Sequence, residues 1–139
     1  RLYRQTYYGL RDVIAPLVQN DSARVIPMQN PEPGKVMLAE SCPASTLKAL
    51  DLYAPYKGNG DAMLTARRYI LDTIARQYPV DIPEQCYVHM VQNPGGDALD
   101  AFLAMFGVWA YVAAGRPLLP EGDQYAIEGY VYMPRVDTI

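Results

Sequence analysis

Residues 95–115 read Gly-Gly-Asp-Ala-Leu-Asp-Ala-Phe-Leu-Ala-Met-Phe-Gly-Val-Trp-Ala-Tyr-Val-Ala-Ala-Gly, and this stretch decides the fold. Asn93-Pro94-Gly95-Gly96 breaks the chain ahead of it, and Gly115 with Pro117 behind it is a natural helix stop. Between these signals the spacing predicts one long helix from Asp97 to about Ala114. After Asp97 its sole charge is Asp100. A helix apolar on nearly every side must be covered on most of them, so it is read as the spine of the core. Its uncharged part, Ala101–Gly115, falls short of the about 20 residues that span a bilayer.

Asp97 and Asp100 stand three apart, about 60° apart around a helix axis, so both carboxylates lie on one face of the first turn. Two carboxylates among Gly, Ala, Leu and Phe repel each other and are poorly solvated unless a cation is shared between them. Mg²⁺ or Mn²⁺ is the economical choice, because hard divalent ions take oxygen ligands and use one or two carboxylates plus water and phosphate. Capping and the helix dipole give Asp97 a structural alternative. They do not explain Asp100.

The rest of the chain is read around this helix. Its 139 residues are half hydrophobic and 19% charged, which excludes a disordered chain and supports one domain with one core. A net charge of −3 argues against a nucleic-acid coat held by bulk positive charge. Residues 1–76 carry 10 basic and 7 acidic side chains, and residues 77–139 carry 2 and 8, so the halves are +3 and −6. That asymmetry suits a metal site beside a phosphate-binding surface, or plain surface scatter. Cys42 and Cys86 have no CxxC spacing and His89 is the one histidine, which disfavours zinc. With no secretory leader visible, the chain is expected to be cytoplasmic, its thiols reduced and mostly structural.

Tyr7–Gln19 has helical spacing that Pro16 ends or kinks, Arg24–Met28 is short and extended, and residues 30–34 are a loop. Val36–Glu40 reads as a buried central strand, which would place Glu40 at its C-terminal end, where open α/β sheets put their sites. Pro43 opens a short helix over Ala44–Leu50. Asp61 is expected to cap Ala62–Gln77, with Leu64, Ile70, Leu71 and Ile74 inward and Arg67, Arg68 and Arg76 left for solvent or ligand. Gln85–Val91 alternates in a way that favours a strand, and Tyr125–Glu128 and Tyr130–Met133 read as short extended pieces.

Glu40-Ser41-Cys42-Pro43-Ala44 with Thr46-Leu47-Lys48-Ala49-Leu50, then Tyr56-Lys57-Gly58, Arg67-Arg68-Tyr69-Ile70-Leu71 and Gly96-Asp97-Ala98-Leu99-Asp100-Ala101, resemble in this order a family of predicted ribonuclease H-like nucleases. Ala126-Ile127-Glu128-Gly129-Tyr130-Val131-Tyr132 resembles the end of that family, and the Asp-x-x-Asp-Ala element is similar to the last acidic motif of Holliday-junction resolvases. The resemblance covers about residues 36–132. It implies an α/β fold of the ribonuclease H-like kind, a mixed sheet flanked by helices, with Glu40, Asp97 and Asp100 as catalytic metal ligands. It further implies two Mg²⁺ (or Mn²⁺) ions, one activating water and one stabilising the leaving oxygen in phosphodiester hydrolysis.

The first acidic residue of such families, on an N-terminal strand, has no match in residues 1–35, where Asp12 and Asp21 fall in helix and turn contexts. The chain is therefore expected to be the C-terminal part of such a domain, with weak or no nuclease activity by itself. The implied partners are nucleic acid, no membrane, and a second copy of the chain or a missing N-terminal segment. Lys57, Arg67 and Arg68 are candidates for binding substrate phosphate, against the plainer reading of solvated cations. His89 is expected to be partly buried and structural. The competing expectation is a non-catalytic binding or assembly domain that keeps the fold.

Overall fold

The uncharged run after Asp97 forms a single helix, α6 (Asp97–Ala113), with Gly115 at φ +70 just past its end. The computed structural model describes residues 2–134. They divide into two compact units, residues up to 40 with 112–132, and residues 41–111 with those from 133. Among the described residues the architecture is mixed α/β: mostly helix, with one two-stranded parallel sheet. Among the described residues no helix is long and apolar enough to cross a membrane.

In the first unit, the N-terminal periodicity yields α1 (Leu2–Gly9), a π-helical turn over Leu10–Ile14, and α2 (Ala15–Gln19). The wide turn lies just ahead of Pro16, whose ring has no N–H to donate and crowds the preceding turn; Ala15 N–H reaches back five residues to Leu10 O. Strand β1 (Ala23–Ile26) pairs in parallel with β2 (Val36–Ala39), Ala23 opposite Val36 and Ile26 opposite Ala39. Ala23 and Ile26 are buried, but Val36 and Met37 are exposed, so β2 is not the buried central strand its apolar run suggested. A four-residue apolar run looks the same on an open sheet as inside a covered one.

The connection over residues 27–35 is tied down by charge. Asp21, at φ 56, accepts from Arg24 Nη2 at 2.6 Å and from Lys35 Nζ, and Arg24 Nη2 also bonds Glu32. After β2, Glu40 forms a parallel bridge with Val131, and Tyr132 N–H donates to Glu40 O at 2.9 Å. Tyr132 is fully buried and its hydroxyl donates to Leu118 O at 2.5 Å. Residues 125–128, expected to be extended, form a helical turn, α7 (Tyr125–Glu128), because Glu128 N–H finds Gln124 O at 2.8 Å and Gly129 N–H finds Tyr125 O at 3.1 Å.

The second unit holds the main apolar core. Helix α3 (Pro43–Ala49) starts at its proline, as expected, and α4 (Asp61–Gln77) begins on Asp61, with Gly60 at the cap position assigned to Asp61 from the sequence. Residues 84–92 are a helix, α5 (Glu84–Gln92), not a strand. Pro83 presets its entry and accepts from Cys86 and Tyr87 N–H at 2.9 and 3.0 Å; the inward residues, Tyr87, Met90 and Val91, follow a three-four spacing rather than alternation. Leu99, Leu103, Phe106 and Ala110 of α6 meet Ile70, Leu71 and Ile74 of α4, with Leu47, Met90 and Val91. Each large side chain so buried contributes about 1.5–3 kcal/mol. The opposite side of α6 is less covered than its composition implied, with Met105 58% exposed.

Lys35 and then Arg24 hold the Asp21 carboxyl below the usual carboxylate range. A depressed pKa contributes stability above the unfolded value and loses it as pH falls through the folded one. Asn keeps the left-handed backbone, so Asp21→Asn is expected to lower the melting temperature at pH 7. The difference from wild type should shrink in thermal melts as the pH falls below the ordinary carboxylate range, and disappear once it is below the depressed native pKa, where the aspartate is protonated in both states.

Candidate functional site

The turn that opens α6 is shaped by Asn93, whose Oδ1 accepts Asp97 N–H at 3.0 Å, while Gly96 N–H donates to Asn93 O at 3.1 Å. Capping therefore belongs to Asn93, four residues earlier. Asp97 is the first helical residue, exposed, its carboxylate folded back against Gly95. Both acids lie in the first turn, where the helix dipole favours negative charge.

Asp100 is held from a segment more than forty residues away. Tyr56 Oη donates to Asp100 Oδ1, and Lys57 Nζ donates to Oδ2 at 2.5 Å. The Tyr56 ring is buried; burial first, and then Asp100, push the phenol pKa up, so the hydroxyl remains a donor across the ordinary pH range. The ammonium supplies positive charge beside a carboxylate that stands in a helix otherwise uncharged after Asp97. Lys57, expected to meet phosphate, is paired here.

The segment carrying Tyr56 and Lys57 is fixed by Arg67. This guanidinium is 2% exposed; Nε donates to Val91 O at 2.7 Å and Nη1 to Tyr56 O at 2.6 Å and Gly58 O at 3.2 Å. Val91 lies in the last turn of α5, whose carbonyls carry the negative end of the helix dipole. Arg67 is thus committed to backbone carbonyls rather than left for solvent or ligand. The signal was in the sequence: residues 67, 70, 71 and 74 share one helical stripe, and the other three are apolar. Arg68, one residue on, is exposed and stands near Tyr87, whose hydroxyl bonds Asp72 at 2.8 Å.

Gly58 N–H donates to Pro94 O at 2.8 Å, which closes the segment onto the turn before α6. There Gly96, at φ +77, lets Tyr56 and Lys57 pass close: a Cβ on it would meet Lys57 Cγ at 3.0 Å and Tyr56 Cε2 at 3.1 Å. The resulting groove, about 450 Å³, is lined by Cys42, Pro43, Tyr53, Tyr56, Lys57 and Asp100 among others. Cys42, expected to be structural, has its thiol pKa lowered by a hydrogen bond from the Ser45 side chain, and then from its backbone. A larger groove of about 760 Å³ lies between Val80–Pro83, α5 and α6, mostly apolar; His89, expected to be partly buried, is exposed at its wall.

Glu40 belongs to the first unit. It is exposed just past the end of β2 and lines a groove of about 630 Å³ with Leu10, Val25, Met28 and Leu38. Asp97 and Asp100 belong to the second unit, where no third His, Cys, Asp or Glu among the described residues joins them in a metal-holding group. A divalent ion that fills the rest of its shell with water and phosphate needs only one or two carboxylates. No family model matches the chain, and neither a curated protein nor a solved structure matches it.

Arg67→Ala is expected to destabilise the second unit by roughly 2–4 kcal/mol in urea unfolding, because three carbonyl oxygens lose a charged donor. Gly96→Ala should destabilise it too, through the left-handed backbone and the close approach of Tyr56, and an NMR measurement should find the Tyr56–Asp100 contact weakened.

Proposed function

We propose that this chain carries the divalent-metal site of a ribonuclease H-like phosphodiester hydrolase, with Asp97 and Asp100 as its ligands in the second unit. The observation that carries the reading is Asp100 itself: a half-buried carboxylate, one helical turn from a second, seated at a groove. The ordered resemblance from Glu40 to Tyr132 and the mixed α/β architecture with its parallel strands support it. Glu40, which the resemblance also counts among the ligands, stands at the C-terminal end of β2; the test below rests on the aspartates alone.

When bound, Mg²⁺ or Mn²⁺ supplies positive charge that polarises water and the phosphate oxygens. Tyr56 orients Asp100 by donating to Oδ1, and its raised pKa keeps that proton in place. Lys57, at the groove, provides a point charge for a phosphate oxygen. Arg67 positions both residues without reaching the substrate.

One observation favours the second reading, a binding or assembly domain with no metal: the charge of Asp100 is already balanced by Lys57. Calorimetric titration with Mn²⁺ separates the two. The nuclease reading expects binding by the full chain, weakened at least about tenfold in Asp97→Asn and in Asp100→Asn. Absence of binding, or binding indifferent to both substitutions, would leave the non-catalytic reading.

A further inference from the structure

We infer that Lys57 is a resident counter-ion of Asp100 which a divalent cation must displace, so that metal binding and release of the lysine ammonium are one exchange. The inference rests on the metal-site reading above and goes beyond it by assigning Lys57 control of the site's affinity.

The geometry separates a fixed backbone from a free side-chain head. Arg67 bonds the carbonyls on either side of Lys57, those of Tyr56 and Gly58, and Gly58 N–H is tied to Pro94 O. The Lys57 stem lies along Gly96, at the turn that leads into Asp97. Its ammonium is nevertheless 2.5 Å from Asp100 Oδ2 with the side chain 52% exposed, against 27% for Asp100. The segment cannot drift away, whereas the ammonium can swing into water at little cost, since exposed ion pairs are weak.

The two donors on Asp100 differ in how they respond to an arriving cation. The Tyr56 hydroxyl is neutral and bonds Oδ1, so it can keep orienting the carboxylate after a metal binds. The Lys57 ammonium is charged and bonds Oδ2, so it competes for the same oxygen and repels a divalent ion placed near it. Displaced, it remains at the groove it lines with Tyr53 and Cys42, its charge then free for an anionic substrate. Lysine is suited to such an exchange, being a compact charge on a flexible stem, whereas arginine would hold a carboxylate through two parallel bonds.

The test is a Mn²⁺ titration by calorimetry, with free Mn²⁺ followed by electron paramagnetic resonance, on the 139-residue wild-type chain, Lys57→Met and Lys57→Arg. Circular dichroism confirms that each is folded. Lys57→Met is expected to bind Mn²⁺ about fivefold more tightly than wild type, and Lys57→Arg no more tightly than wild type. In wild type, the ¹⁵N signal of the Lys57 ammonium should shift toward that of a solvated lysine as Mg²⁺ saturates the site. Equal or weaker Mn²⁺ binding by Lys57→Met, with binding still lost in Asp97→Asn, overturns the exchange and leaves the metal site standing. Absence of binding in both wild type and Lys57→Met overturns the metal site and the exchange together.

Discussion

A guanidinium removed from water is tolerated only where acceptors surround it, and Arg67 meets that condition with the carbonyls of Val91, Tyr56 and Gly58. Three pieces of chain, the segment before α4, α4 itself and the end of α5, are thereby locked in one arrangement. Lys57 lies between two of the bonded carbonyls, so the lock also sets where its side chain starts. Gly96 then leaves room for Tyr56 and Lys57 to reach Asp100. The site is a consequence of how the second unit buries one arginine.

This ordering changes what Asp100 means. An aspartate in an otherwise uncharged helix demands a positive partner, and that demand was readable from residues 97–114 alone. Which partner answers it was not. Lys57 lies 43 residues away and reaches Asp100 through a fold that local periodicity does not encode. A metal and a lysine satisfy the same electrostatic requirement, and the proposed exchange treats them as successive occupants of one position.

Other parts divide in the same physical way. The long helix and its charged first turn, α3, α4 and the strand before Glu40 were legible because each has an unambiguous period or a proline or glycine at its boundary. Residues 84–92 misled because Tyr87, His89 and Val91 alternate by chance, while burial against α4 and α6 selected the helical face through Tyr87, Met90 and Val91. Residues 125–128 misled because a single turn is too short to show a period. Arg67 is charged, which points to solvent or ligand, but its position on the stripe of Ile70, Leu71 and Ile74 dictates its burial. Glu40 was placed correctly after a strand, yet that strand has Val36 and Met37 in solvent, because strand pattern says nothing about how many neighbours a sheet has.

The central claim is that Asp100 is built into the second unit by donors from residues 56–57 and is not simply a charge left at a helix start. A double-mutant cycle on urea stability with Tyr56→Phe, Asp100→Asn and the pair tests it most directly. Residues in contact couple by about 0.5–3 kcal/mol, and a value in that range is predicted here. Strict additivity of the two single substitutions would contradict the account.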